Sequence, residues 1–196
     1  MFHDTLQIGE VRILGQSQGV GHCLHPATAM LKDVPVLGPR ILFVGHGRSG
    51  KDEAAGILHG LGKLKYAGSL SWFALPYVAN YLSLPQQVCW ETRHARRETW
   101  KSYCDWFRKD DQLRLVNLAL AHGNVITGVR ARAEIDAVKS SGLFDAIVWV
   151  ERPGNPVDPT VDFTEADCTD TILNNETLQA FHFRVVDWAE RRGFIE

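Results

Sequence analysis

The sequence predicts an open α/β fold: a parallel sheet with helices on both faces, a helical insertion in its first half and a short lid near its end. Three observations lead there. Short apolar runs suited to buried parallel strands occur at Ile41–Val44, Val125–Val129 and Ala146–Val150. Segments with helical spacing separate them, and a right-handed crossover between parallel strands needs such a helix. The first run is followed at once by three glycines, Gly45, Gly47 and Gly50, and then by an amphipathic stretch.

Taken in order, residues 1–39 lack a sustained period and carry Gly9, Gly15, Gly19, Gly21, Pro26, Pro35 and Pro39, so they read as an extension ahead of one domain over 40–196. Ile41–Val44 is a strand. Ala54, Ile57, Leu58 and Leu61 fall at i, i+3, i+4 and i+7, the stripe of a helix resting on a sheet. Tyr66 to Lys109 reads as mostly helical, with Pro76 and Pro85 as punctuation and Trp72, Trp90, Trp100 and Trp106 as apolar payload. Asp111–His122 reads as a helix closed by Gly123, Val125–Val129 as a strand, and Ala131–Ser141 as a helix closed by Gly142. Ala146–Val150 is a further strand and Thr171–Leu173 a short one. The last helix has Asn175 as its expected N-cap, Leu178, Phe181, Val185 and Trp188 along one face, and Gly193 at its end.

With 196 residues, 45% hydrophobic and 22% charged, the chain buries one sizeable core, and its composition excludes fibrous or wholly disordered classes. No apolar run reaches the length of a membrane span, so a cytoplasmic protein without a membrane partner is expected. The cysteines Cys23, Cys89, Cys104 and Cys168 are scattered and read as reduced thiols that bind no metal. The formal charge of -2 hides a segregation. Arg93, Arg96, Arg97, Lys101, Arg108 and Lys109 crowd one segment, whereas Glu151 to Asp170 holds six acids and the single base Arg152. Either run can be a solvated face; the basic one is also suited to meeting anions.

The segment Gly45-His-Gly-Arg-Ser-Gly-Lys51 matches a phosphate-binding loop. Successive backbone N–H groups curl around an anion, the next helix aims its positive end at it, and Lys51 reaches the β- and γ-phosphates of ATP. The nucleotide site is therefore expected to comprise Gly45, His46, Gly47, Arg48, Ser49, Gly50, Lys51, Asp52 and Glu53. Asp52 stands where such loops usually place a Ser or Thr hydroxyl on Mg²⁺. A carboxylate is also a hard oxygen ligand, so Asp52 is the expected Mg²⁺ residue.

Beyond the loop, the residues resemble the deoxynucleoside monophosphate kinases of tailed phages and the related phage kinases that phosphorylate 5-hydroxymethyl-deoxyuridine within DNA. The resemblance runs from about Ile41 to Trp188. It rests on Arg48-Ser-Gly-Lys-Asp52, on Val125-Ile-Thr-Gly-Val-Arg130 with Glu134 beyond it, on Val148-Trp-Val-Glu-Arg152, and on Asp170-x-Ile172-x-Asn174. It implies a P-loop kinase fold using ATP and Mg²⁺, an acceptor segment over about 66–110 and a lid over about 152–169. In such kinases the strand before the Val-Arg pair commonly ends in an acid, where this chain has Gly128.

On this reading Arg93, Arg96, Arg97 and Trp100 hold the acceptor, with Arg forks on phosphate and an aromatic face for a base. Arg130 projects from the carboxyl edge of the sheet to neutralise charge in the transition state, or else pairs with Glu134 at i+4. Arg152 resembles a lid arginine that closes on ATP. Lys51, Asp52 and Arg130 form the expected catalytic set. The acceptor is either a free deoxynucleoside monophosphate, which needs no base, or a hydroxymethyl group in DNA, for which Asp52, Glu91 or Asp105 would take the proton. The competing class is a nonkinase P-loop NTPase or a nucleotide-binding regulatory module. A homodimer is compatible with any of these.

Overall fold

The structure, a computed structural model, describes residues 38–196. The extension expected over residues 1–39 falls almost wholly outside them. The elements run β1 (Ile41–Val44), α1 (Lys51–Gly60), β2 (Tyr66–Ser69), α2 (Leu70–Tyr81), α3 (Gln86–Glu91), α4 (Arg97–Arg108), α5 (Arg114–Leu120), β3 (Val125–Thr127), α6 (Arg132–Ser141), β4 (Ala146–Glu151), β5 (Asp170–Leu173) and α7 (Leu178–Arg191). The five strands form one parallel sheet in the order β2-β3-β1-β4-β5.

β1 is the central strand, paired with β3 on one side and β4 on the other. All four of its side chains are fully buried, which is why it reads as a continuous apolar run. Leu42 and Val44 enter a core shared with α2 to α6, while Ile41 and Phe43 enter a second core under α1 and α7. Because the chain turns to opposite sides from β1, ligands are expected at the carboxyl edge of this strand and its neighbours.

The structure departs from the sequence reading in four places. β2 was expected to be helical. It is a half-buried edge strand with a register shift between Tyr66 and Gly68, and so lacks any apolar alternation to announce it. Pro76 was expected to break a helix, yet α2 continues through it. An interior proline costs about 3 kcal/mol, and burial of Ala74, Leu75, Val78 and Ala79 on either side offsets that. The N-cap of α7 is Thr177, whose side chain accepts from the Ala180 amide at 3.2 Å, rather than Asn175, which instead accepts a hydrogen bond from Arg184. Leu61 and Leu178, read as core positions, are exposed because each lies at a helix end that overhangs the sheet.

Phe43 joins the central strand to α7, its ring edge-on to Trp188 at 5.8 Å. Phe43→Ala is expected to lower the unfolding free energy by about 3–5 kcal/mol, the usual cost of truncating a fully buried aromatic, as measured by urea denaturation.

Candidate active site

The loop between β1 and α1 is shaped by its neighbours as much as by its own glycines. Gly45 has φ 138°, and a Cβ there would stand 2.6 Å from the Val150 carbonyl oxygen of β4. Only glycine lets the chain leave the sheet so close to the next strand. Asn174, just beyond β5, donates to the Ser49 carbonyl at 2.8 Å, and Asn155 donates to the Gly47 carbonyl at 2.5 Å. These contacts turn loop carbonyls outward to side chains and leave the amides for an anion.

Lys51 is buried at the start of α1, and its ammonium donates to the His46 carbonyl at 3.1 Å. Burial lowers its pKa, with the Asp52 charge opposing. The Ser49 hydroxyl is buried inside the loop without a hydrogen-bond partner. A buried ammonium and an orphaned hydroxyl in one loop suit a polyanionic ligand that would satisfy both. Arg48 and Glu53 are exposed, and Arg48 takes φ 62°. Arg152 reaches the Arg48 carbonyl at 3.4 Å, which sets it beside the loop.

Asp52 faces the end of β3. Its Oδ1 accepts from the Thr127 hydroxyl at 2.6 Å and from Tyr66 at 2.9 Å. Burial, with the Asp52 charge adding to it, raises the Tyr66 pKa and keeps the phenol a donor. The carboxylate at the start of α1 and the hydroxyl at the end of β3 are thus in direct contact. Gly128 has φ 105°, a backbone state that side chains seldom adopt, so an acid is poorly accommodated there. A carboxylate and a hydroxyl in contact are hard oxygen donors of the kind Mg²⁺ takes alongside phosphate oxygens, so Asp52 and Thr127 fit that ion.

Across the loop lies a cationic cluster. Arg97 at the start of α4 and Arg130 after β3 both reach Asp158 Oδ2, at 2.9 and 2.5 Å. The i+4 pair of Arg130 with Glu134 is not formed; Glu134 pairs instead with Arg108, and both are buried. Arg93 stacks over Trp90, 3.8 Å from its ring centroid, and burial lowers its pKa. His94 has its pKa lowered by burial and by Arg93, Arg97, Arg48 and Arg130 around it. Arg96, by contrast, is exposed and outside the cluster, so its geometry is that of a solvated residue. Trp100 is buried, which removes it as an open stacking surface.

Arg93, Arg97, Trp100, Arg108, Arg130 and Glu134 line one cavity of ≈ 100 Å³. Two side-chain atoms of these residues are buried without a hydrogen-bond partner, Trp100 Nε1 and Glu134 Oε1. One is a donor and the other an acceptor.

The expected lid over 152–169 divides in two. Arg152, Pro153, Gly154, Pro156 and Val157 are exposed, whereas Val161 and Phe163 are packed into the core and Asp167 is tied to Arg132 and Lys139. Only the first half is free to act as a cover. The sequence reading missed Thr127, Tyr66, Asp158, Thr160 and the Arg108–Glu134 pair. Asp158 had one visible signal, a lone acid between Pro156 and Pro159 in an acidic loop opposite a basic segment.

No protein-family model and no curated protein sequence matches the chain. Among solved structures, shikimate kinase from Aquifex aeolicus vf5 aligns with 79% of this chain and 98% of its own, at 12% identity and a TM-score of 0.43. That likeness is too distant to speak to substrate. Among the described residues no helix is long and apolar enough to cross a membrane, and no three His, Cys, Asp or Glu side chains are grouped to hold a metal ion.

Burial raises the Glu134 pKa while Arg108 opposes it, so removing Arg108 leaves a buried charge uncompensated. Arg108→Met is expected to cost about 3–5 kcal/mol at neutral pH. A carboxyl whose folded pKa is raised favours the fold below its unfolded pKa and loses that contribution as pH rises. The deficit should therefore be small at about pH 4, near the unperturbed glutamate value, and grow toward pH 7. Urea melts of both proteins across that range measure it.

Proposed function

We propose that the protein is a P-loop kinase that transfers the γ-phosphate of ATP to the phosphate of a free deoxynucleoside monophosphate. The observation that carries this reading is the cluster of Arg93, Arg97 and Arg130 at the cavity beside the phosphate loop. Three guanidinium groups there suit a phosphorylated acceptor held against the γ-phosphate.

The fate of the candidate bases points the same way. Asp52 accepts from Thr127 and Tyr66, Glu91 from Gln87, and Asp105 from Lys101 and Arg108. None is a free carboxylate facing the cavity. A monophosphate acceptor is already anionic and needs no proton removed. Its oxygen forms a bond to the γ-phosphorus as the bond from that phosphorus to the β,γ-bridging oxygen breaks, and ADP leaves. Lys51 offsets charge developing on the leaving oxygens, and Arg130 with Arg97 offsets charge on the acceptor and the transferred group. Asp52 and Thr127 would hold Mg²⁺, which when bound neutralises phosphate charge.

A second reading, transfer to the hydroxymethyl group of a modified base in DNA, is favoured by one observation. Glu134 is a lining residue of the cavity, one of its buried oxygens has no hydrogen-bond partner, and burial raises its pKa, the profile of a base for an alcohol.

Incubation with labelled ATP and each deoxynucleoside monophosphate, or an oligonucleotide containing hydroxymethyluracil, separates the possibilities. Label is expected on a free monophosphate, and Lys51→Ala should lower kcat by about two to three decades, roughly 3–4 kcal/mol. Label on the oligonucleotide alone establishes the second reading. ATP hydrolysis indifferent to every acceptor points to a nonkinase NTPase.

The positions of carboxylate and hydroxyl yield a separate test. Asp52→Thr alone should raise the Mg²⁺ concentration needed for half-maximal rate by about tenfold or more, on the scale of losing one charged ligand, and Thr127→Asp alone should lower the rate by setting a second carboxylate against Asp52. The double variant should recover much of that loss, because it exchanges the two groups rather than deleting one. Additive losses would exclude a shared Mg²⁺ role.

A further inference from the structure

The Asp158 carboxylate occupies a setting made for a phosphate. Its Oδ2 takes Arg130 at 2.5 Å and Arg97 at 2.9 Å, while its Oδ1 takes the Thr160 hydroxyl at 2.6 Å and the Thr160 amide at 3.1 Å. The Asp158 amide donates to His46 Nδ1 at 3.2 Å, so the residue is moored to the phosphate loop itself. A Cβ added to Gly47 would stand 3.3 Å from Asp158 Oδ2. Two guanidinium groups, a hydroxyl and an amide around an anion beside a phosphate loop form the donor set by which proteins grip phosphoryl oxygens.

We propose that Asp158 is a resident stand-in for substrate phosphate, which fills the seat between Arg97 and Arg130 and must be displaced by an incoming phosphoryl group. The proposal rests on the reading that these arginines serve a phosphate. It makes the lid a competitor for the site it covers.

The chain around Asp158 sets the terms of such a movement. Val157 is 75% exposed and Pro159 is exposed, whereas Val161 and Phe163 are fixed in the core. The segment from Arg152 to Thr160 is held to the loop by polar contacts, Arg152 to the Arg48 carbonyl, Asn155 to the Gly47 carbonyl and the Asp158 amide to His46, so displacing Asp158 requires these to yield while Val161 and Phe163 stay in place. Asp158 is ill suited to the alternative role of general base. Burial raises its pKa, but hydrogen bonds from Thr160 and Arg130 outweigh that and hold it well below the usual carboxylate range, far from the value a base needs at neutral pH. When phosphate takes the seat, the two half-buried arginines exchange one anion for another and keep a charged partner throughout.

Inorganic phosphate is the probe, since it tests the seat whatever the acceptor is. Asp158→Asn should bind it about tenfold tighter than the wild type by calorimetry, because the competing charge is gone. Asp162→Asn makes the same change of charge on an exposed residue of the same loop. There the effect should stay under about twofold, as expected of a screened surface charge. A fixed brace for the arginines predicts the opposite, so phosphate bound more weakly or equally by Asp158→Asn, or by neither protein, overturns the proposal.

Hydrogen exchange on the unaltered protein supplies a readout that no folding defect can obscure. Saturating phosphate should speed exchange of the Asp158 and Thr160 amides; slowed or unchanged exchange rejects displacement. Tighter phosphate binding by Asp158→Asn together with no transfer to any nucleotide would sink the kinase reading and leave the stand-in role intact.

Discussion

The site depends on a central strand of four residues buried on both faces. β1 has parallel partners on each side and a separate apolar core above and below, so its end is fixed in direction and height. The phosphate loop starts from that fixed point, so close to β4 that only a glycine can begin it. Arg130 leaves β3 and Arg152 leaves β4, the two strands that flank β1. The loop, Arg130 and the segment after Arg152 converge because three adjacent strands end together, and the long helical insertion between β2 and β3 supplies the remaining arginines.

Much of this was legible because it is local. β1, β4 and the phosphate loop are contiguous runs whose chemistry and dihedral needs are written in neighbouring residues, and Gly142 marks the end of α6 as expected, with φ 62°. The hidden parts are those that depend on residues far apart in the chain. Tyr66 and Thr127 acquire meaning only when β2 pairs with β3, and β2 itself, four half-buried residues with a glycine, carries no period to reveal it. Arg108 and Glu134 lie on helices distant in sequence, and their pairing changes the local expectation that Glu134 serves Arg130. Trp100 shows a different limit: composition announced an aromatic in a basic segment, but only packing decides whether its face or its edge is available.

Most charges at the site have a polar partner within reach. Arg97 and Arg130 share Asp158, Arg108 meets Glu134, and Lys51 lies close to Asp52 and bonds a loop carbonyl. Charges removed from water without partners would cost several kcal/mol each. The uneven composition, basic in the insertion and acidic in the lid, is therefore one feature rather than two. The two segments meet in the ion pair of Arg97 with Asp158.

The exchange of carboxylate and hydroxyl between α1 and β3 also bears on how such a site can change over generations. Placing an acid at Thr127 while Asp52 remains would set two carboxylates against each other where Thr127 and Asp52 now touch at 2.6 Å. Replacing Asp52 by a hydroxyl while Thr127 remains would leave the position with no charge at all. Either single step disturbs that contact, and the φ of 105° at Gly128 discourages a detour through that neighbour. On the proposed Mg²⁺ role, the two arrangements are separated by an epistatic barrier, and lineages carrying one form would tend to keep it.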